Sequence, residues 1–194
     1  MILYLVRHGQ SEGNISGFVC GQRDVPLTEQ GFEDARRAGK YLEGLTFDRI
    51  YSSDLIRTVQ TAQTAIPGCD PIRLPLLREL ATGDLTGRSV KEIRESTDET
   101  LKNALRWQNY AIYGGEDWSM LQARAGQFLK MLEEDPCDQA IAFAHAGFLR
   151  ATLEMAILDG GRIDSKHIRC TNASVMKLAY ENGNWILLTW GAGA

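Results

Sequence analysis

Two of the three histidines in this 194-residue chain stand directly after short apolar segments. Residues 2–6 read Ile-Leu-Tyr-Leu-Val and lead through Arg7 to His8, and residues 139–144 lead to His145. A neutral imidazole nitrogen can attack phosphorus and form a covalent intermediate, which divides one difficult step into two easier ones. A single histidine after a strand is more often a satisfied structural residue, so the interpretation of both depends on their polar neighbours.

Guanidinium and carboxyl side chains follow two further segments of strand character. Arg57 lies shortly after residues 49–51, at the start of a predicted helix, and Glu79 follows a strand predicted within residues 71–75. Guanidinium groups bind phosphate oxygens in a fork and offset negative charge in the transition state. A carboxyl group can protonate the leaving oxygen and then activate water. The set favours phosphoryl transfer, with a surface arginine and a solvated loop acid as the alternative interpretations.

Strands of buried type alternate along the chain with amphipathic helices. Residues 2–6 form a continuous apolar run, and residues 139–144 are apolar after Gln139; both are typical of strands covered on both faces. Thr28 is a predicted helix N-cap, the sequence Ser52-Ser53-Asp54 signals the start of the helix that carries Arg57, and Asn182-Gly183 is the predicted turn of a terminal β-hairpin. This order predicts a three-layer α/β/α fold with a mainly parallel central sheet and helices on both faces.

The carboxyl ends of parallel strands meet at one edge of such a sheet, where ligands bind. We therefore expect the polar residues at the strand ends to converge there. The length favours one domain over residues 1–194, with a helical lid or subdomain at about 80–115 over one end of the sheet.

Composition excludes several classes of protein. The net charge of −4 gives no basic footprint for nucleic acid or for an anionic membrane surface. No apolar run approaches the roughly 20 residues of a spanning helix, and six apolar residues at the N-terminus are too few for a signal peptide, which predicts a cytoplasmic protein. The four cysteines are scattered without zinc-ligand spacing, which predicts reduced thiols and no structural metal.

Five sequence blocks resemble, in order, those of the histidine phosphatase (phosphoglycerate-mutase-like) superfamily. The blocks are Leu5-Val6-Arg7-His8-Gly9-Gln10-Ser11-Glu12-Gly13-Asn14, residues 21–31, residues 51–62, Leu77-Arg78-Glu79-Leu80 with Gly83, and Ala144-His145-Ala146-Gly147. One block alone would be weak, whereas five in the family's order form a specific match. The chain departs from the family pattern at Thr86-Gly87, at Ala146 and at Gly115-Glu116-Asp117, and these departures concern substrate contacts.

The resemblance implies a role for each matching residue. These are His8 as the phosphorylated nucleophile, Glu79 as the proton donor, Arg7, Arg57 and His145 as the groups that hold the phosphoryl group, and Asn14 and Gln22 as secondary contacts. It implies no metal ion and no organic cofactor.

The function expected from the resemblance is a phosphatase that acts on a small phosphorylated metabolite through a phosphohistidine. The alternatives are a phosphoglycerate mutase and a non-catalytic phosphate-binding protein. The short stretch between Glu79 and His145 favours hydrolysis, and the presence of both His8 and Glu79 disfavours a non-catalytic role. The sequence does not name the substrate and leaves a homodimer open. Four aromatic residues are candidates for a substrate pocket or for packing: Phe18, Trp107, Tyr110 and Tyr113.

Overall fold

A computed structural model of the chain describes residues 1–164 and 167–193. Its centre is a six-stranded sheet in the order β3-β2-β4-β1-β5-β6. The strands are Ile2–Arg7 (β1), Arg49–Ser52 (β2), Ile72–Arg73 (β3), Gln139–Ala144 (β4), Val175–Glu181 (β5) and Asn184–Ala192 (β6). Strands β3, β2, β4 and β1 are parallel, whereas β5 and β6 run antiparallel to their neighbours.

Seven α-helices are present in the described residues. They are Glu12–Ile15 (α1), Glu29–Tyr41 (α2), Ile56–Ala65 (α3), Val90–Glu95 (α4), Glu99–Trp107 (α5), Trp118–Glu134 (α6) and Ala146–Leu158 (α7). Single 3₁₀ turns lie at Pro75–Leu77, Gly83–Leu85 and Ala111–Tyr113. Not one of these helices is both long enough and apolar enough to cross a membrane, and the cytoplasmic location stays a prediction.

The core lies on both faces of the sheet. In β1, Leu3 and Leu5 point into the hydrophobic cluster that includes α6 and α7, whereas Tyr4 and Val6 point into the cluster that includes α2 and α3. This alternation explains why β1 carries no polar residue between positions 2 and 6, since both faces are covered by helices. The predicted α/β/α layering is confirmed.

Of the two helix starts predicted from capping residues, one is confirmed and the other is not. The Thr28 hydroxyl accepts a hydrogen bond from the Gly31 N–H at 3.1 Å, as expected of an N-cap. Helix α3, however, begins at Ile56 with Leu55 as its N-cap, so the cap lies one residue after the predicted signal at Ser52-Ser53-Asp54.

A distant residue replaces the expected cap of α3. The Ile56 N–H donates to Oδ1 of Asp24 at 2.7 Å, so the helix start is satisfied by the loop that follows α1. Asp54 instead forms a bidentate pair with Arg78, at 2.7 and 2.5 Å. The cap of α3 is therefore a tertiary contact that the local sequence does not encode.

The segment at about 80–115 contains α4, α5 and two of the 3₁₀ turns. Leu85, Ile93, Leu101 and Ala104 are buried in the same hydrophobic cluster as β1. The single domain and the lid function of this segment remain predictions.

The terminal hairpin is confirmed, with Asn182 and Gly183 at φ values of 51° and 78° in its turn, as a type I′ turn requires.

Candidate active site

The two histidines meet at the carboxyl ends of the adjacent parallel strands β1 and β4. Arg7 pairs with Ala144 in the strand register, and the His8 N–H donates to the carbonyl of Ala144 at 3.0 Å. The imidazole rings of His8 and His145 lie edge to face, with centroids 5.2 Å apart. The expected convergence of strand ends is therefore observed for this pair.

The ring of His8 is held in one tautomer. Its Nδ1 lies 2.7 Å from the carbonyl oxygen of Gly9, and because a carbonyl can only accept, Nδ1 carries the proton of the neutral ring. Burial, and next the charges of Arg57 and Arg7, lower the pKa of His8 well below its ordinary value of 6.5. His8 is therefore a buried neutral imidazole at neutral pH, with the lone pair on Nε2.

The loop after His8 is fixed by close backbone packing. The Gly9 N–H donates to the Thr61 hydroxyl at 3.0 Å. A Cβ atom at position 9 would lie 2.2 Å from the carbonyl oxygen of Gly31, in the first turn of α2. Glycine after His8 thus lets the loop approach α2 closely, which orients the ring through the Gly9 carbonyl.

His145 is fully buried, and neither ring nitrogen has a hydrogen-bond partner within the described residues. Burial comes first among the causes that lower the pKa of His145, followed by the charges of Arg57, His8 and Arg7. A buried polar group without a partner is costly, and such groups in native proteins often face a ligand. His145 is therefore suited to contact an anion beside His8.

The two predicted guanidinium groups are anchored by main-chain carbonyls. Arg57 is buried, and its Nη1 and Nη2 donate to the carbonyls of Arg23 and Gly21 at 2.8 and 3.0 Å. Arg7 donates from Nη1 to the carbonyl of Cys170, and its buried Nε has no partner among the described residues. Both side chains influence His8 electrostatically, so they form a fixed positive environment around the histidines.

Glu79 approaches from the loop after the first 3₁₀ turn. Its Oε1 accepts the N–H of Leu80 at 2.9 Å, and its Oε2 accepts the N–H of Gly147 at 3.1 Å. Gly147 follows His145 by two residues in the first turn of α7. The carboxyl group is thus held at the same helix N-terminus that positions His145.

Arg124 on α6 supports Glu79 and was not predicted from the sequence. Its guanidinium donates to the carbonyls of Leu76, Arg78 and Glu79 at 2.7–3.2 Å. It also forms a bidentate pair with Glu116, whose Oε2 accepts the N–H of Ala81. The arginine therefore fixes the main chain on both sides of Glu79, and Glu116 is engaged in this structural pair.

The two predicted secondary contacts lie at the edge of this group. Asn14 Oδ1 accepts from the N–H of Ser11 at 2.9 Å and from Nδ2 of Asn172 at 3.1 Å, and Asn172 also donates to the His8 carbonyl. Gln22 donates from Nε2 to the Glu79 carbonyl at 2.9 Å. Both side chains thus brace the loops of the site, and their contact with a substrate remains a prediction.

The aromatic candidates divide between surface and core. Phe18 and Trp107 are 48% and 57% exposed, and they line cavities other than the one that contains Glu79. Tyr110 is buried in the core, and burial raises its pKa to about 12. Tyr113 packs against the same core. Tyr110 and Tyr113 are therefore packing residues, whereas Phe18 and Trp107 lie at the surface outside the cavity that contains Glu79.

No group of three or more His, Cys, Asp or Glu side chains is arranged to hold a metal ion, within residues 1–164 and 167–193. The positive charge near the histidines comes from arginines. The expectation of a cofactor-free site remains a prediction.

Similarity to known proteins extends over nearly the whole chain. Residues 3–193 match the sequence profile of the histidine phosphatase superfamily, branch 1. The chain is 30% identical over 191 residues to the probable phosphoglycerate mutase GpmB of Salmonella choleraesuis (strain SC-B67), a match that covers 97% of this chain and 89% of that protein.

Two solved structures share the fold over nearly the whole chain. The mycobacterial glucosyl-3-phosphoglycerate phosphatase is 27% identical, with a TM-score of 0.83 and 98% of each chain covered. The α-ribazole phosphatase of Shigella flexneri is 24% identical, with a TM-score of 0.88 and coverage of 100% of this chain and 98% of that one. The chain belongs to the histidine phosphatase superfamily.

Proposed function

We propose that this protein is a metal-independent phosphatase that hydrolyses a small phosphorylated metabolite through a phosphohistidine on His8. The observation that carries the proposal is the hydrogen bond from His8 Nδ1 to the Gly9 carbonyl. It leaves the Nε2 lone pair free in a buried, neutral ring next to Arg7 and Arg57, where a phosphate group would be attracted.

In the first step, Nε2 of His8 forms a bond to phosphorus while the bond from phosphorus to the ester oxygen breaks. The leaving oxygen takes a proton from the Glu79 carboxyl group. Arg7, Arg57 and His145 bind the phosphoryl oxygens and offset the charge of the transition state. The alcohol then departs from the Glu79 side of the site.

In the second step, water attacks the phosphorus of the phosphohistidine. The Glu79 carboxylate accepts a proton from that water, the N–P bond breaks, and the lone pair returns to His8 Nε2. Phosphate leaves, and the histidine and the carboxyl group are restored. The sequence of steps consumes one water and needs no metal ion or redox partner.

The phosphohistidine is tested by rapid quenching in alkaline detergent after mixing with ³²P-labelled substrate. We expect acid-labile, base-stable label on the peptide that contains His8, and no label in His8→Ala. Label on a serine or cysteine would refute the mechanism. A complete absence of label and of phosphate release across a panel of phosphorylated metabolites would instead favour a non-catalytic phosphate-binding protein.

The independence from metals is tested by dialysis against EDTA. Hydrolysis of p-nitrophenyl phosphate should persist, since guanidiniums can supply the positive charge. Loss of activity that magnesium or zinc restores would overturn this part of the proposal.

A phosphoglycerate mutase is the second candidate, because the Salmonella relative carries that name. The two functions differ in the fate of the phosphoryl group, which passes to water in a phosphatase and to a second hydroxyl in a mutase. Incubation with 3-phosphoglycerate, followed by ³¹P NMR, separates them. We expect inorganic phosphate as the main product, whereas 2-phosphoglycerate formed faster than phosphate would establish the mutase.

A further inference from the structure

We propose that Arg150 binds a carboxylate on the alcohol part of the substrate and so selects phosphate esters of small hydroxy acids. The proposal rests on the phosphatase function proposed above and adds the chemical class of the leaving group. It starts from the cavity that adjoins Glu79.

This cavity has a volume of about 210 Å³ and is lined by residues that include Glu79, Gln108, Gly147, Arg150, Cys170 and Trp190. Two of these residues connect the cavity to the proposed phosphate-binding groups. Gly147 is in the first turn of the helix capped by His145, and the Cys170 carbonyl accepts from Arg7. The cavity therefore adjoins the phosphate site on the side of the proton donor.

The position of Glu79 determines which part of a substrate enters this cavity. If Glu79 protonates the leaving oxygen, that oxygen lies beside its carboxyl group, and the carbon atoms attached to the oxygen extend into the space that Glu79 lines. At about 30 Å³ for each water molecule, a volume of about 210 Å³ corresponds to roughly seven waters. The cavity therefore has room for a leaving group of about seven heavy atoms.

Arg150 is the cation among these lining residues, and it is held rigidly. Its side chain is 11% exposed, its Cζ lies 3.9 Å from the ring centroid of Trp118, and its Nη2 donates to Oε1 of Gln108. A guanidinium that is fixed by stacking loses little entropy when it binds a carboxylate in its fork. This preorganisation favours a ligand-binding role over a flexible surface position.

The charge of Arg150 is only partly compensated within the protein. Its Nε lies 4.0 Å from Oε1 of the fully buried Glu154 and makes no hydrogen bond to the described residues. Glu154 takes its hydrogen bonds from other donors, Trp118 Nε1, Gln122 Nε2 and the Ile163 N–H, at 2.6–2.9 Å.

The surroundings of Arg150 also favour an incoming anion. Burial lowers the pKa of Arg150, with the charges of Glu154 and Glu79 opposing it and that of Arg162 adding to it. A bound anion would therefore stabilise the charged form of the guanidinium. A carboxylate supplies that charge in the planar shape that the fork matches.

The test uses pairs of substrates that differ by one carboxylate. O-phospho-L-serine and O-phosphoethanolamine form one pair, and 3-phosphoglycerate and glycerol 1-phosphate form the other. We expect the protein to prefer the carboxylate in kcat/KM by about 10- to 100-fold, the size of one charge-assisted interaction. Arg150→Gln should abolish this preference, and Arg150→Lys should retain part of it because it keeps the charge without the fork.

A second variant leaves the buried network of Arg150, Trp118 and Glu154 intact. Gln108→Glu places a competing carboxylate against the same guanidinium and should remove most of the preference. Arg162→Gln is the matched control, because Arg162 also lies over the Trp118 ring, at 4.9 Å, but does not line the cavity. Its preference should equal that of the unmodified protein.

Several results would overturn the proposal. One is a kcat/KM in the unmodified protein that is about equal for the two members of each substrate pair. Another is a loss of kcat/KM in Arg150→Gln and Gln108→Glu that is the same for both members of a pair, which would show a structural role. A preference found only for propane-1,3-diol bisphosphate over its monophosphate would reassign the second anion as phosphate. Normal hydrolysis of p-nitrophenyl phosphate with any of these results would leave the phosphatase function standing, whereas its absence, together with the absence of label on His8, would remove both proposals.

Discussion

The Gly147 N–H donates to Oε2 of Glu79 at 3.1 Å, and a Cβ atom at position 147 would lie 2.1 Å from Oε1 of the same carboxyl group. Because Gly147 is two residues from His145, one turn of backbone sets the distance between the carboxyl group and the second histidine. A side chain at position 147 would have to displace the carboxyl group, and this requirement explains the glycine in the second-histidine block.

Gly147→Ala should therefore lower kcat by about 10²-fold, the cost of displacing a reacting group by roughly 1 Å. Global stability should change little, since alanine is the better helix former. Gly126→Ala on α6 is the control, because its Cβ would meet only the terminal methyl of Met155 at 3.2 Å. Steady-state kinetics and thermal melts compare the two, and unchanged activity in Gly147→Ala would show that the carboxyl position is not critical.

Arg57 is proposed to bind the phosphoryl oxygens, and this role is tested by removing its charge in one variant and only its forked shape in another. Arg57→Ala should reduce kcat by about 10²–10³-fold, the scale for losing one preorganised donor. Arg57→Lys should recover only part, because an ammonium has no fork and cannot keep both carbonyl contacts to Gly21 and Arg23 while it binds phosphate. Arg36→Ala, at an exposed pair with Glu33, is the control. A lysine variant with full activity would contradict the proposed binding of phosphoryl oxygens by the Arg57 guanidinium.

Much of this site follows from the sequence because its main residues stand at the ends of uninterrupted apolar runs. A run such as residues 139–144 is typical of a strand covered on both faces, and His145 stands at its carboxyl end. Helix α7 begins directly after it, at Ala146.

The support of Glu79 does not follow from the sequence, because it depends on contacts between distant segments. Arg124 lies on an amphipathic helix where an arginine is ordinarily a solvated residue, yet it reaches the Glu79 carbonyl 45 residues away. The N-terminus of α3 also depends on a distant contact, since the Ile56 N–H is capped by Asp24, 32 residues earlier. Side-chain bonds of this kind depend on tertiary packing, which local propensity does not determine.

The buried neutral histidines should make the fold less stable in acid. The folded pKa values of His8 and His145 lie below 6.5, whereas in the unfolded chain both groups titrate near 6.5. Between those values the unfolded state binds more protons, so stability rises with pH and falls as the pH drops below about 6.5. Each site can contribute up to about 1.4 kcal/mol per pH unit to this slope.

Urea unfolding between pH 5 and pH 7.5 measures the effect. His145→Asn should show a shallower loss of stability in acid than the unmodified protein. His167→Asn, at an exposed position, is the control. An equal slope in all three proteins would mean that the buried histidines do not govern acid stability.

The catalytic roles of Glu79 and His8 can be distinguished, because the effect of replacing each residue should depend differently on the leaving group. Each Glu79 oxygen accepts one main-chain N–H and keeps a second lone pair that can carry the transferred proton. An alkoxide needs that proton in order to leave, whereas p-nitrophenolate departs readily without it. Glu79→Gln should therefore be severely impaired with an alkyl phosphate and much less impaired in forming the phosphoenzyme from p-nitrophenyl phosphate.

Single-turnover formation of the phosphoenzyme, measured with both substrates, gives the comparison. His8→Ala should be inactive with both, because the nucleophile is needed whatever group leaves. Asp84→Asn, at an exposed acid of the same segment, is the matched control and should behave as the unmodified protein. If Glu79→Gln lowers the rate of phosphoenzyme formation equally with the two substrates, another acid protonates the leaving group. Glu116 is poorly placed for that role because Arg124 holds its carboxylate in a bidentate pair. Asp84 would then be the first alternative. In that case Asp84→Asn, and not Glu79→Gln, would be more impaired with the alkyl phosphate than with p-nitrophenyl phosphate.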